Sequence, residues 1–262
     1  MIKLIASDMD GTLLNDEKRL PDNFFDILKK LKDRNIEFVV CSGRSYVTLE
    51  LDFKEIMNET VFICDNGAYI ADHGKNIYTN VIDRNLWLEL IEKSSEIKGI
   101  RIIVCGIDGT YYLPDDSEYE KIVKLYYPNS RKVNDFSEIN DSIFKVSICD
   151  ITDPRENSYN ILRSYFKNRL SMQISGPFYL DIMNKGVDKG TAFEKIQKNI
   201  GASYEETMVF GDFYNDISLL SKAKYSFVME NANEDMKKYG NFIAENNNKC
   251  GVIKAIEKYV LK

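Results

Sequence analysis

This chain of 262 residues predicts an α/β fold in which a core split along the sequence carries an inserted α+β domain. Three observations predict it. Apolar runs of strand length alternate with helix-period segments over roughly the first eighty residues. Between residues 82 and 185 the alternation gives way to hairpins interleaved with helices. After Asn184-Lys185-Gly186 the first pattern resumes. Strands alternating with helices imply a parallel sheet with right-handed crossovers, whereas hairpins mixed with helices imply a mainly antiparallel sheet. The expected boundaries are 1–81 and 186–262 for the core and 82–185 for the insert, a typical domain size.

Residues 2–7 read as a strand that runs into Asp8-Met9-Asp10-Gly11-Thr12. The spacing predicts a helix over 21–34, with Pro21 near its start and Phe24, Phe25, Ile27, Leu28 and Leu31 along one side. Residues 36–40 form a second strand, ending at Cys41-Ser42-Gly43-Arg44. A helix over 45–57 and a third strand over 61–64 follow, the strand ending at Asp65-Asn66-Gly67. In the insert, a helix over 86–97 precedes a hairpin over 100–113, because Asp108-Gly109 sits between two apolar runs. A helix over 118–127, a strand over 143–148 and a helix over 154–167 come next. Residues 171–174 and 178–183 are two strands joined at Ser175-Gly176-Pro177. The core resumes with a helix over 188–200 and a strand over 207–210 that ends at Gly211-Asp212. A short helix over 215–222, a strand over 225–229, another helix, a strand over 242–244 and a helix over 251–260 complete the chain.

Composition narrows the function classes. Hydrophobic residues at 44% and charged residues at 29% fit a soluble globular protein with a core of useful size. A net charge of −6 argues against a nucleic-acid binder, which would show a basic face. It also requires that a phosphorylated substrate be met by a local positive site. No apolar run of about 18 residues exists, so no membrane span is expected. The start, Met1-Ile2-Lys3-Leu4, lacks the pattern of a signal peptide, which points to the cytoplasm. The five cysteines are scattered singly, as expected of buried free thiols in a reducing compartment. With one histidine, His73, and no paired cysteines, zinc is not expected. His73, between Asp72 and Gly74, reads as a solvated turn residue, and Trp87 as core of the insert. No pattern specifies an oligomeric state.

The chemistry begins at Asp8 and Asp10, one residue apart at the carboxyl end of a strand, where ligands bind in open α/β sheets. Two such acids repel unless a cation lies between them or one is protonated, so they read as a hard-metal site, an acid/base pair, or both. A calcium loop is excluded, because its sixth and twelfth positions would hold Leu13 and Arg19. The chain also contains a control: Gly106-Ile107-Asp108-Gly109-Thr110 repeats D-G-T without the first Asp, inside the hairpin turn. D-G-T alone therefore means a turn, and the weight falls on Asp8. Ser42, Asp212, Asn215 and Asp216 follow other strands of the sheet, and Lys189 opens a helix. Oxygen ligands from Asp8, Asp10 and Asp212 suit Mg²⁺. Ser42 and Lys189 offer a hydroxyl and a point charge to phosphate oxygens. A lysine at a helix start works against the dipole, which favours a functional reason for Lys189.

The set Asp8-x-Asp10-Gly11-Thr12, Ser42-Gly43-Arg44, Lys189-Gly190 and Gly211-Asp212-x-x-Asn215-Asp216 resembles the haloacid dehalogenase superfamily, and within it the Cof-type phosphatases. Asn66-Gly67, Val187-Asp188 and Met229-Glu230-Asn231-Ala232 are similar to further segments of that subgroup. The resemblance spans the chain; each motif alone is weak, but four in order at domain-compatible spacing are specific. It implies a Rossmannoid three-layer core with a large α/β cap of type C2 between the second and third motifs. It implies a phosphatase of small phosphorylated metabolites, such as sugar phosphates, whose cap closes over substrate. Asp8 would be the nucleophile that forms an aspartyl phosphate, and Asp10 the group that gives and takes the proton. Mg²⁺ would be held by Asp8, the Asp10 backbone carbonyl and Asp212, supported by Asp216. Ser42, Gly43 and Lys189 would bind phosphate, with Gly11, Thr12, Asn66 and Asn215 supporting the loops. Phe213 departs from the family pattern, which has Gly there, and with Tyr214 it would narrow the site or face the cap. Arg44 reads as a surface ion-pair partner. A phosphomutase or phosphotransferase of the phosphomannomutase type is the alternative, but a mutase calls for a basic cluster in the insert, where basic residues are scattered. A catalytically inactive phosphate-binding module is the second alternative, and the complete motifs count against it.

Overall fold

A computed structural model describes residues 1–127, 129–175 and 177–262. Along the chain run β1 (Leu4–Ser7), α1 (Phe24–Lys32), β2 (Glu37–Cys41), α2 (Tyr46–Phe53), β3 (Val61–Cys64), β4 (Tyr69–Asp72) and β5 (Lys75–Thr79). Next come α3 (Arg84–Ser95), β6 (Ile100–Gly106), β7 (Thr110–Tyr112), α4 (Ser117–Tyr126), β8 (Ser130–Lys132), β9 (Ile143–Asp150), α5 (Ser158–Phe166), β10 (Leu170–Ile174) and β11 (Tyr179–Asn184). The chain ends with α6 (Lys189–Ile200), β12 (Thr207–Gly211), α7 (Ile217–Leu220), β13 (Tyr225–Met229), β14 (Phe242–Ala244) and α8 (Gly251–Tyr259). Two compact units result. The first comprises Met1–Ser42, Glu55–Ile77 and Asp188–Lys262, and the second Gly43–Lys54 and Tyr78–Val187.

The sheet of the first unit has the order β14-β13-β12-β1-β2-β3-β4-β5. From β14 to β3 every pairing is parallel, and β4 turns back antiparallel to β3. β1 lies between β12 and β2, and all four of its residues are buried, as expected for a strand covered on both faces. α1 packs on β2 through Phe24, Ile27 and Leu31, at helical spacing. Phe25 and Leu28, expected on the same side, differ: Phe25 is exposed and Leu28 half-buried, because the buried stripe is one residue wide per turn. An aromatic stack ties the other edge: Phe210, Phe227 and Phe242 lie 5.0 and 5.1 Å apart across β12, β13 and β14, with Tyr259 of α8 edge-on to Phe227. The hairpin β4–β5 was not expected from the sequence. Its tip is His73-Gly74, both at positive φ, with His73 half-exposed and paired to Asp72.

The second unit has the sheet order β10-β11-β9-β6-β7-β8, antiparallel except where β8 pairs with β7. One face packs against α3 and α5 through Trp87, Leu90, Leu162, Phe166, Val146, Ile148, Leu180 and Ile182. Trp87 is core, as its helical position implied. On β9 and β11, Lys145, Ser147 and Asp181 are buried together: Ser147 Oγ donates to Asp181 Oδ1 at 2.6 Å, and Lys145 Nζ lies 3.9 Å from the same oxygen. Lys145 also reaches the carbonyl of Gly43 at 3.5 Å, and residues 43–54 belong to this unit. The expected connection between β10 and β11 includes Gly176, which lies outside the described residues. Four cysteines are buried free thiols; Cys250 differs, being half-buried at positive φ before α8. No helix among the described residues is long and apolar enough to cross a membrane.

Candidate active site

The site is built where β1, β2 and β12 end side by side. Apolar anchors fix the loop after β1: Met9, Leu13 and Leu14 are buried, and Leu14 N donates to the Met9 carbonyl at 2.8 Å. With those residues held in the core, the alternating Asp8 and Asp10 are left to the site. Asp8 is 6% exposed, and its backbone N donates to the Phe210 carbonyl at 3.1 Å, which locks β1 to β12. Asp10 is more open and pairs with Lys18 at 2.7 Å. Gly11 has φ +82, and a Cβ there would stand 2.4 Å from Asp212 Oδ2. Only glycine fits both demands. Thr12 is buried and donates from Oγ1 to Asp212 Oδ1 at 2.7 Å.

α6 delivers the cation. Asp188 caps it in a reciprocal pair with Thr191, so Lys189 occupies the first turn. Lys189 is fully buried, and its Nζ lies 2.5 Å from Asp8 Oδ1 and 2.6 Å from Asp216 Oδ1. Asp216 is equally buried, and its other oxygen accepts from the backbone N of Asp212 at 3.0 Å and of Phe213 at 3.1 Å. One carboxylate thus shapes the whole loop after β12. Gly211 is required beside it, since a Cβ there would meet Asp216 Cβ at 2.5 Å.

The end of β2 joins the same region. Ser42 is buried; its N donates to the Ile63 carbonyl at 2.8 Å, and its carbonyl accepts from Asn66 N at 3.0 Å. Asn66, at φ +53, accepts on Oδ1 from Asn215 Nδ2 at 2.9 Å. The motifs after β2, β3 and β12 are therefore linked in a chain of hydrogen bonds. Gly43 belongs to the second unit. Phe213 and Tyr214 pack edge to face at 5.0 Å, and the Tyr214 hydroxyl donates to Asp235 at 3.0 Å within the first unit.

Charge is crowded here. Oxygens of Asp8, Asp212 and Asp216 lie within 4.8 Å of one another, and one ammonium, Lys189, is bonded to the group. Burial, then the neighbouring Asp216, raises Asp8 well above the usual carboxylate range, against the pull of Lys189. Burial and Asp216 push Asp212 up to about 7. Burial opposes the charge on Lys189, but Asp216 and Asp8 outweigh it and raise its pKa. Burial pushes the Cys41 thiol up, so this residue is no thiolate nucleophile. An all-oxygen donor set with surplus negative charge fits a hard dication such as Mg²⁺. The carboxylates that converge are Asp8, Asp212 and Asp216, whereas the Asp10 carboxylate turns to Lys18.

Sequence reasoning gave no role to Lys18, Asn231 or Asn247, although all three touch the loop after β1. Asn231 lies in the Met229–Ala232 segment that the resemblance picks out without a role, whereas Lys18 and Asn247 give little signal, since a lone Lys or Asn in a polar loop is ordinary.

The family described as haloacid dehalogenase-like hydrolase matches residues 5–256. The 5-amino-6-(5-phospho-D-ribitylamino)uracil phosphatase YbjI of Escherichia coli K12 is 32% identical, over 100% of this chain and 97% of that protein. A phosphatase named for the same compound, YcsE of Bacillus subtilis, is 26% identical over 99% and 96%. Among solved structures, SMU.1108c from Streptococcus mutans UA159 matches with a TM-score of 0.93 and 31% identity over 100% of both chains.

Proposed function

The chain belongs to the haloacid dehalogenase-like hydrolases and is a phosphatase of that family, and from this premise we propose that it hydrolyses small phosphorylated metabolites with Mg²⁺ through an aspartyl phosphate on Asp8. The observation that supports this best is the buried Lys189 bridging Asp8 and Asp216. A lysine so placed pulls Asp8 toward its charged, nucleophilic form, against the burial and the neighbouring Asp216 that favour the neutral one.

In the proposed reaction an Asp8 oxygen attacks phosphorus, the bond from phosphorus to the leaving oxygen breaks, and Asp10 gives that oxygen its proton. Water then attacks the phosphoryl group and yields a proton to Asp10. The bond from phosphorus to Asp8 breaks, and inorganic phosphate leaves. Lys189 offsets charge on Asp8 and on the incoming phosphate, with Ser42 and Gly43 as further phosphate-binding groups. Lys18, paired with Asp10, lies where it can influence access to that carboxylate. Asp8 and Asp212, with the Asp10 carbonyl and support from Asp216, would hold Mg²⁺, which when bound supplies further positive charge toward the phosphate oxygens.

For substrate, we propose a phosphorylated sugar or polyol, and 5-amino-6-(5-phospho-D-ribitylamino)uracil is the first compound to assay, on the likeness to YbjI and YcsE. The test of the reaction is hydrolysis of p-nitrophenyl phosphate with Mg²⁺. The expected result is turnover by the wild type and a loss of at least about a thousandfold in Asp8→Asn. Equal activity in the two proteins would refute the nucleophile.

A further inference from the structure

We propose that Asn231 and Asn247 are positioning residues: two amide side chains that clamp the loop carrying Asp10 and hold Asp212 in register with it. The inference rests on the phosphatase reading above. Asn231 Nδ2 donates to the Gly11 carbonyl at 2.7 Å, and its Oδ1 accepts from the backbone N of Asn247 at 3.1 Å. Asn247 Nδ2 then donates to the Leu14 carbonyl at 3.0 Å and to Asp16 Oδ1 at 3.1 Å. The loop is thus gripped at Gly11, Leu14 and Asp16, on both sides of Thr12. Asn248 reinforces the last point through Nδ2 to Asp16 Oδ2 at 2.9 Å.

The grip falls where the geometry tolerates least. Gly11 is the residue bent to positive φ beneath Asp212, and Thr12 holds that carboxylate directly. A shift of the Gly11 carbonyl therefore moves Asp10 on one side and Thr12, with Asp212, on the other. Neither asparagine is explained by packing. Asn231 is exposed, so it fills no core. Asn247 is 3% exposed, and its Oδ1 has no hydrogen-bond partner among the described residues. A buried orphan oxygen is destabilising, and its retention is accounted for by the two bonds that Nδ2 makes to the loop.

The test compares wild type, Asn231→Ala and a control, Asn241→Ala. Asn241 lies in the same unit and donates to the Lys224 carbonyl at 2.9 Å, away from the loop. Two quantities are read: steady-state kinetics on p-nitrophenyl phosphate with Mg²⁺, and amide hydrogen exchange over residues 9–16. Asn231→Ala is expected to lower kcat by about tenfold to a hundredfold, with KM within about twofold, because misplacement of reacting groups acts on the chemical step. Exchange over residues 9–16 is expected to quicken in Asn231→Ala and not in Asn241→Ala, whose kcat stays at the wild-type value. Unchanged exchange in Asn231→Ala overturns the clamp, as does wild-type kcat in that variant or an equal fall in the control. A wild type that hydrolyses no phosphate ester removes the reaction itself, an outcome distinct from wild-type turnover with an unaffected variant.

Discussion

Lys189 Nζ stands 2.5 Å from Asp8 Oδ1, with the lysine side chain sealed from solvent and the aspartate nearly so. The same ammonium serves Asp216 at 2.6 Å, so one buried cation answers two buried carboxylates. Removing it leaves both uncompensated. Lys189→Met is expected to lower the unfolding free energy by about 3–5 kcal/mol and to abolish turnover. Urea unfolding checks the first and a phosphatase assay the second. Undiminished stability would mean that the carboxylates take up protons in the absence of the lysine and need no cation.

Gly11 and Gly186 form a matched pair for the loop geometry. Their φ angles are +82 and +81, but a Cβ at Gly11 meets Asp212 Oδ2 at 2.4 Å, whereas at Gly186 nothing lies within 4 Å. Alanine at either position carries the left-handed penalty of about 1–2 kcal/mol. Gly11→Ala alone must displace Asp212. It is therefore expected to lose activity by about a hundredfold, while Gly186→Ala keeps wild-type kcat. Equal kcat in the two variants would show that Asp212 is free to move.

The pKa of Asp212, pushed up to about 7, gives a pH dependence. In the metal-free folded protein this carboxylate holds its proton more tightly than in the unfolded chain, where the value is about 4. Its contribution to stability is thus present below about pH 4 and lost as pH rises toward 7. A dication restores it by replacing the proton. The rise in melting temperature on adding Mg²⁺ is therefore expected to be larger at about pH 8 than at about pH 5.5. Thermal melts with and without Mg²⁺ at both pH values check this, and equal shifts would contradict it.

The legible parts of the molecule are those in which local pattern and burial agree. β1, β2, β3 and β12 are nearly continuous apolar runs because the parallel sheet buries both their faces. β8 was illegible because Ser130-Arg131-Lys132 carries no apolar alternation and pairs only at an edge. The hairpin β4–β5 was missed because β5 is largely exposed, and its turn is His73-Gly74 rather than a common turn pair. In the site, motif spacing marked the groups that touch across β1, α6 and β12. It left out what single residues do at a distance: the two-sided role of Asp216, the Lys18 pair with Asp10, and the asparagines that hold the loop.

The central claim is that Asp8 becomes phosphorylated. Rapid acid quench of the wild type during turnover of p-nitrophenyl phosphate with Mg²⁺, followed by digestion and mass spectrometry, tests it most directly. The predicted result is one alkali-labile phosphoryl group on the peptide containing Asp8, present in the wild type and absent from Asp8→Asn. Active turnover with no label on Asp8, or label on another residue, would contradict the account.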